Sequence, residues 1–179
     1  MKILFILIIS IVFNQNFSYS NDDWITITSP KKINSISYGN EDAFIASVNG
    51  LFGYDTFNMN FYFIDDAFRR LENKEIYIVY HDSYRDHLWI LNKDAIYFKT
   101  INSDSWREID TYMNLDILNN NHILNIGANH ENIYIETSNK ILKLNPYSGT
   151  LIDSELKNNL NIDNNIKWSS TSRSGLSDY

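Results

Sequence analysis

Ala43-Phe44-Ile45, Leu88-Trp89-Ile90 and Ile133-Tyr134-Ile135 stand at a constant spacing of 45 residues. Each is followed by a turn and a second apolar pair, Leu51-Phe52, Ile96-Tyr97 and Ile141-Leu142. The register extends upstream to Ile33, Ile78 and Ile123 and downstream to Phe61, Trp106 and Leu151 without a gap. Self-similarity at a fixed step marks stacked supersecondary units, none of which can bury its apolar surface alone. Within each unit the apolar residues follow period two or run continuously. No stretch of ten or more residues beyond the N-terminal segment keeps the 3.6-residue period of a helix, and Asp65 to Lys74 has room for one helical turn at most.

The first unit divides into four strands, A over Ile33 to Tyr38, B over Ala43 to Val48, C over Leu51 to Tyr54 and D over Asn60 to Ile64. Asn49-Gly50 between B and C predicts a type I′ hairpin, because both central residues of that turn need positive φ, which Asn and Gly tolerate. Asp94-Ala95 and Asn139-Lys140 hold the same place in the later copies. The A–B connections (Gly39 to Asp42, Ser83 to His87, Ala128 to Asn132) and the C–D connections (Thr56 to Asn58, Asn102 to Ser105, Pro146 to Thr150) are rich in turn formers. A 45-residue unit of four strands predicts an all-β, β-propeller-like array of four-stranded antiparallel blades, at about 31–65, 76–110 and 121–155.

The residues also carry a family likeness. Ala46-Ser47-Val48-Asn49-Gly50-Leu51-Phe52-Gly53-Tyr54-Asp55 resembles the repeat of bacterial two-component-regulator propellers, and His87-Leu88-Trp89-Ile90 resembles the Leu-Trp that opens strand B there. Asn132 to Thr137, Ile141 to Asn145 and Ser148 to Leu151 are similar to the quinoprotein-like repeat. The resemblance covers about residues 24 to 155. It implies a fold and a scaffold for loops, and neither repeat is itself catalytic.

Propellers close with four to eight blades, and three units fall short of that. Ile166-Lys167-Trp168-Ser169-Ser170 sits where the first strand of a fourth blade is due, and Trp24-Ile25-Thr26-Ile27 resembles an outer strand that closes a last blade. The expectation is an incomplete propeller over 21–179, belonging to a longer protein. A complete short protein that trimerises or swaps blades is the alternative.

At the N-terminus, Met1-Lys2 precedes the apolar run Ile3 to Phe13, and Ser18-Tyr19-Ser20 offers small residues one and three positions before Asn21. This predicts a signal peptide over 1–20, cleaved between Ser20 and Asn21, and a periplasmic, surface or secreted mature chain with no stable membrane span. The alternative, an uncleaved anchor, needs a longer run, since a bilayer takes about 20 residues.

The rest of the 179-residue composition works by exclusion. No Cys removes disulfides, thiolate metal sites and Cys nucleophiles. A net charge of −7 opposes a phosphate-tracking surface, so no nucleic-acid partner is expected. None of His81, His87, His122 and His130 pairs at the i, i+4 spacing of a helical zinc motif, and no metal or cofactor is expected. His81 replaces Ile36 and Ile126 in strand A, where it either lines the central channel or is a hydrogen-bonded structural residue, the simpler reading. Asp22-Asp23 and Asp65-Asp66 read as solvated loop pairs rather than a general acid and base. Asn158 to Asn165 lacks the Gly and terminal Glu of an EF-hand loop.

Recognition by loops is what remains. The B–C turns and D–A connections of a propeller share one face, which groups Asn49, Asp94, Asn139, Arg69, Arg70 and Tyr112 as a binding face. Arg69 and Arg70 beside Phe68 and Tyr112 offer forked hydrogen bonds and ring stacking to an anion or sugar; the alternative is surface charge beside core aromatics. The predicted function is an extracytoplasmic, non-catalytic propeller that presents loops to a protein, glycan or small ligand, as a sensor or surface module. The alternative is the N-terminal part of a quinoprotein-like or other propeller enzyme whose catalytic residues lie in further blades.

Overall fold

Why a run such as His87 to Asn92 is apolar without alternation becomes plain once its two faces are followed. In the computed structural model, which describes residues 30, 32–64, 75–92, 95–103, 105–109, 123–156 and 165–169, this run is a strand buried at every position. Leu88 and Ile90 point into one apolar cluster with Phe44, Ala46, Leu51 and Ile64. Trp89 and Leu91 point into a second with Ile126, Ile133, Ile135 and Leu142. A sheet sandwiched between two others needs apolar residues on both faces.

Three antiparallel sheets result. The first holds β1 (Ile33–Tyr38), β2 (Asp42–Ser47), β3 (Gly50–Asp55) and β4 (Asn60–Phe63) in sequential order. The second holds β5 (Ile76–Asp82), β6 (His87–Asn92), β7 (Ile96–Thr100) and β8 (Arg107–Ile109), also sequential. The third holds β9 (Ile123–Ala128), β10 (Ile133–Thr137), β11 (Lys140–Leu144) and β12 (Leu151–Leu156), and a further strand, β13 (Lys167–Trp168), lies beyond β9. The first strands are neighbours, β1 beside β5 and β5 beside β9, while β4, β8 and β12 are the more exposed members of their sheets. This is an all-β, propeller-like array of three blades that does not close.

The B–C turns share one device. At the position before each turn stands a buried polar residue, Ser47, Asn92 or Thr137, again 45 residues apart. The Ser47 hydroxyl accepts from Asn49 N (3.1 Å) and donates to Gly50 O (3.0 Å). Asn92 Oδ1 accepts from Ala95 N (2.7 Å), and Thr137 Oγ1 pairs with both N and O of Lys140. Each clamp satisfies turn backbone that the ladder cannot reach.

Three expectations need correction. First, the Asn49-Gly50 hairpin is not type I′: Ser47 pairs with Gly50, which puts Val48 and Asn49 at the corners, and positive φ falls on Gly50 alone (120°). Positive φ costs Gly nothing, so Asn49 is spared it. Second, the ungapped register fails in strand A of the second unit. Ile36, Val79 and Ile126 face Ile45, Ile90 and Ile135, so β5 sits two residues earlier than a strict 45-residue step. His81 is therefore equivalent to Tyr38 and Ala128, not to Ile36 and Ile126. The displaced residues add one rung, Asp82 opposite His87, to the second A–B hairpin. Third, residues 166–169 do not begin a fourth sheet. Lys167 and Trp168 pair antiparallel with Ala128 and Gly127, and Ser169 N donates to Ile126 O (2.8 Å). Gly127 permits this, since a Cβ there would lie 2.8 Å from the Trp168 ring.

The signal-peptide segment, Trp24 to Ile27, Asp65-Asp66 and Asn158 to Asn164 lie outside the described residues.

Candidate functional site

The extra rung of the second A–B hairpin places four residues, Ser83 to Asp86, at the tip beside the third sheet. Asp82, fully buried, accepts from Tyr84 N (3.0 Å) and from Arg85 Nη1 (2.7 Å). The same guanidinium donates through Nη2 to the carbonyls of Asn129 (3.0 Å) and His130 (2.5 Å) in the next A–B loop, and lies 5.9 Å from the centre of the Tyr147 ring. Asp86 holds positive φ (56°) and accepts from His81 Nε2 (2.8 Å). His81 Nδ1 faces the Tyr38 carbonyl (3.3 Å), so this histidine ties the first sheet to the second. Its role is structural.

Below this loop, between the second and third sheets, lies a pocket of about 310 Å3. His87, Phe98, Lys99, Thr100, Ser103, Ser105, Arg107 and Tyr147 line it. Each comes from the A–B and C–D end of its sheet. Asn145 braces the turn that carries Tyr147, its Oδ1 accepting from Tyr147 N (2.9 Å) and Ser148 N (3.1 Å), just as Asp55 does for Phe57 and Asn58 in the first sheet. Those bonds also hold the exposed Asp55 carboxyl below its usual range. The Tyr147 ring stands edge-on to His87, 6.0 Å between centres, and its carbonyl accepts from Arg107 Nη1 (3.1 Å). Lys99 Nζ lies 5.2 Å from the Trp106 ring centre, and the Ser103 and Ser105 hydroxyls are 3.1 Å apart.

His87 is the buried titratable group here. It is only 8% exposed, and burial lowers its pKa below the ordinary histidine value, against the opposing pull of Asp82 and the Pro146 carbonyl. Nδ1 is buried without a hydrogen-bond partner among the described residues. Burial thus favours the neutral imidazole.

Of the residues grouped from the sequence, Asn49 and Asn139 are described, one half-buried and one exposed, on B–C turns of the first and third sheets. They share neither a sheet nor a hairpin. Arg69, Arg70, Asp94 and Tyr112 lie outside the described residues. The pocket is at the opposite end of the blades, and sequence reasoning missed its residues. A signal existed: His87 replaces Asp42 and Asn132, and Lys99 replaces Tyr54 and Leu144, at their repeat positions. No group of three or more potential metal ligands occurs among the described residues.

No protein-family model and no curated protein matches the chain. Among solved structures it is similar to the extracellular domain of BT4673 from B. thetaiotaomicron, described once as a one-component and once as a hybrid two-component system. The TM-scores are 0.53 and 0.52, at 12% and 13% identity. The superpositions cover 72% and 78% of this chain and 18% of each of those. The chain thus spans under a fifth of the length of these two structures, and at such identity the likeness is one of fold.

Proposed function

We propose that this chain is part of an extracytoplasmic, non-catalytic propeller that binds a ligand or partner through the loop ends of its blades, as the sensing part of a surface protein. One observation carries the reading: cations, hydroxyls and an aromatic ring converge on a pocket where two blades meet, held by turns whose own polar groups are already satisfied. A rigid scaffold that positions variable loops is a binding architecture. The leader-like residues 1–20 and the extracellular domains that share its fold support the location.

Two measurements test this. Fusion of the chain to a phosphatase that works only outside the cytoplasm should give activity that is lost when Ile8→Arg interrupts the apolar run. Activity confined to the cytoplasm overturns the location. A thermal-shift screen of small molecules should find a stabilising ligand, since a ligand at 100 times its Kd adds about 2.7 kcal/mol to the folded state. A ligand that is chemically consumed would favour the enzyme reading instead.

A further inference from the structure

We propose that the tip of the first blade, the C–D turn from Thr56 to Met59 with Phe61 beside it, docks a basic protein partner, seating its apolar side chains in a cleft rimmed by lysine or arginine. The inference rests on the binding-module reading and names the partner of a surface separate from the pocket.

Exposure is the first argument. Phe57 and Met59 are 90% and 77% exposed, Phe61 follows on β4, and the exposed Tyr38 ends β1 at the same end of the sheet. The turn that carries them is fixed in place. Asp55 Oδ1 accepts from Phe57 N and Asn58 N, each at 2.8 Å, its Oδ2 accepts from Asn58 Nδ2 (2.6 Å), and Thr56 N donates to Glu41 O (3.3 Å). An apolar tip ordered in advance loses little freedom on docking.

The repeat supplies the second. Met59 holds left-handed backbone (φ 54°), and its counterpart in the third sheet is Gly149 (φ 72°), the residue type that takes this conformation without strain. Asp104 stands at the same place in the second unit, so the turn does not require an apolar residue. A methionine held there with its side chain in solvent gains little packing, and strain without a return in folding belongs to functional surfaces.

Charge is the third, and it selects the partner. Asp42 and Asp55 are direct cross-strand partners, and Glu41 lies in the adjoining A–B turn. Like charges placed opposite one another destabilise a sheet. Bonds from Asn58 and Phe57 hold Asp55 ionised. His87 opposite Thr100 takes these places in the second sheet, and Asn132 and Asn145 take them in the third, so the acidic collar belongs to the apolar tip alone. Lysine or arginine at the rim of a partner's cleft neutralises the collar while the apolar side chains are buried. A lipid surface desolvates the same carboxylates, and its anionic headgroups repel them.

Random linear peptides displayed on phage are the probe, selected against the full chain. Selected peptides should combine lysine or arginine with apolar residues. They should bind Phe57→Ser and Met59→Gly about tenfold or more weakly and Ile152→Ser, on the distant β12, as tightly as the parent. Their affinity should fall between about 0.1 and about 1 M salt, and Asp55→Asn, which keeps a turn clamp of the kind Asn145 makes, should weaken them several-fold. Met59→Gly should leave the urea midpoint unchanged or raise it; a fall makes Met59 a packing residue and overturns the proposal. Acidic or uncharged consensus peptides, or affinity indifferent to both Phe57→Ser and Met59→Gly, also overturn it. Binding to phosphatidylcholine vesicles that needs Phe57 assigns the tip to lipid, and self-association that needs Phe57 assigns it to a second copy, each against the proposal. If no peptide depends on the tip while a ligand from the thermal screen stabilises the chain, the binding-module reading stands and the docking assignment falls.

Discussion

The first strands of the second and third sheets, β5 and β9, face the same problem and solve it differently. Each is the edge of its own four-strand unit and carries amide and carbonyl groups that point away from its ladder. On β5 the amides of Val79 and His81 are taken by hydroxyls of the preceding sheet, Ser35 and Ser37, each at 2.8 Å. On β9 backbone takes their place: β13 pairs with Ala128 and Gly127, and Ser169 supplies both the amide bonded to Ile126 O and a hydroxyl bonded to Asn125. The contrast teaches that burial fixes the apolar frame of the repeat. The polar positions are free to change as long as every buried backbone group finds a partner.

Four experiments sharpen or break the contrast. The largest effect belongs to Trp89, fully buried and stacked on Phe98 at 4.5 Å between ring centres. Trp89→Ala should cost about 3–5 kcal/mol in urea unfolding, a large part of the stability of an ordinary domain. A loss below about 1 kcal/mol would mean the second and third sheets are not packed through this ring.

Arg85→Gln comes next. It strands the buried Asp82 carboxylate, whose side chain is 0% exposed against 6% for Arg85, and removes two bonds to the third sheet. Breaking one half of a buried pair costs about 3 kcal/mol, and Asp82→Asn in the same chain should recover much of it. No recovery in the double variant would assign the loss to the Asn129 and His130 carbonyls instead.

Smaller effects separate the two edges. Ser37→Ala leaves the His81 amide unpartnered and should cost about 1–3 kcal/mol, with faster hydrogen exchange at His81 and unchanged exchange at Ser169. Gly127→Ala presses on Trp168 and Ile166 and should do the reverse, at about 1–3 kcal/mol of overpacking. Loss of protection at both edges in either variant would show them to be one cooperative unit.

The smallest effect is a pH dependence. Burial lowers the His87 pKa below its unfolded value near 6.5, so as pH falls through that value the unfolded chain takes up a proton that the folded chain does not. This contribution to stability is therefore whole above about pH 6.5 and declines toward pH 5. His87→Gln should flatten the slope of stability against pH in that window, and an unchanged slope would show the ring to be solvated.

The sheets and their order were legible because apolar triplets at a fixed step leave few alternatives. Strand A of the second unit was not. Ile76, Ile78 and Val79 are all buried, and a strand apolar on both faces has no alternation to fix its register. The same two-residue displacement lengthens the hairpin that carries Arg85, so the error in register also hid the site. The place of β13 is not legible, because Ile166 to Trp168 looks like any strand start. Its place depends on a missing Cβ at Gly127, which the repeat does not signal. The pocket residues were passed over because Lys99 and Arg107 sit in strands otherwise read for their apolar partners. Their departure from Tyr54 and Tyr62 at the same repeat positions was the available clue.

The strand laid along β9 also governs how such a blade array meets other copies of itself. Unpaired sheet borders are templates on which foreign strands grow, and an unclosed arc offers several. Here the third blade's axial border is already occupied by a segment of its own chain. Among the described residues, exposed apolar side chains gather instead on the outer strands, Phe61 and Tyr62 of β4 and Ile152 and Leu156 of β12.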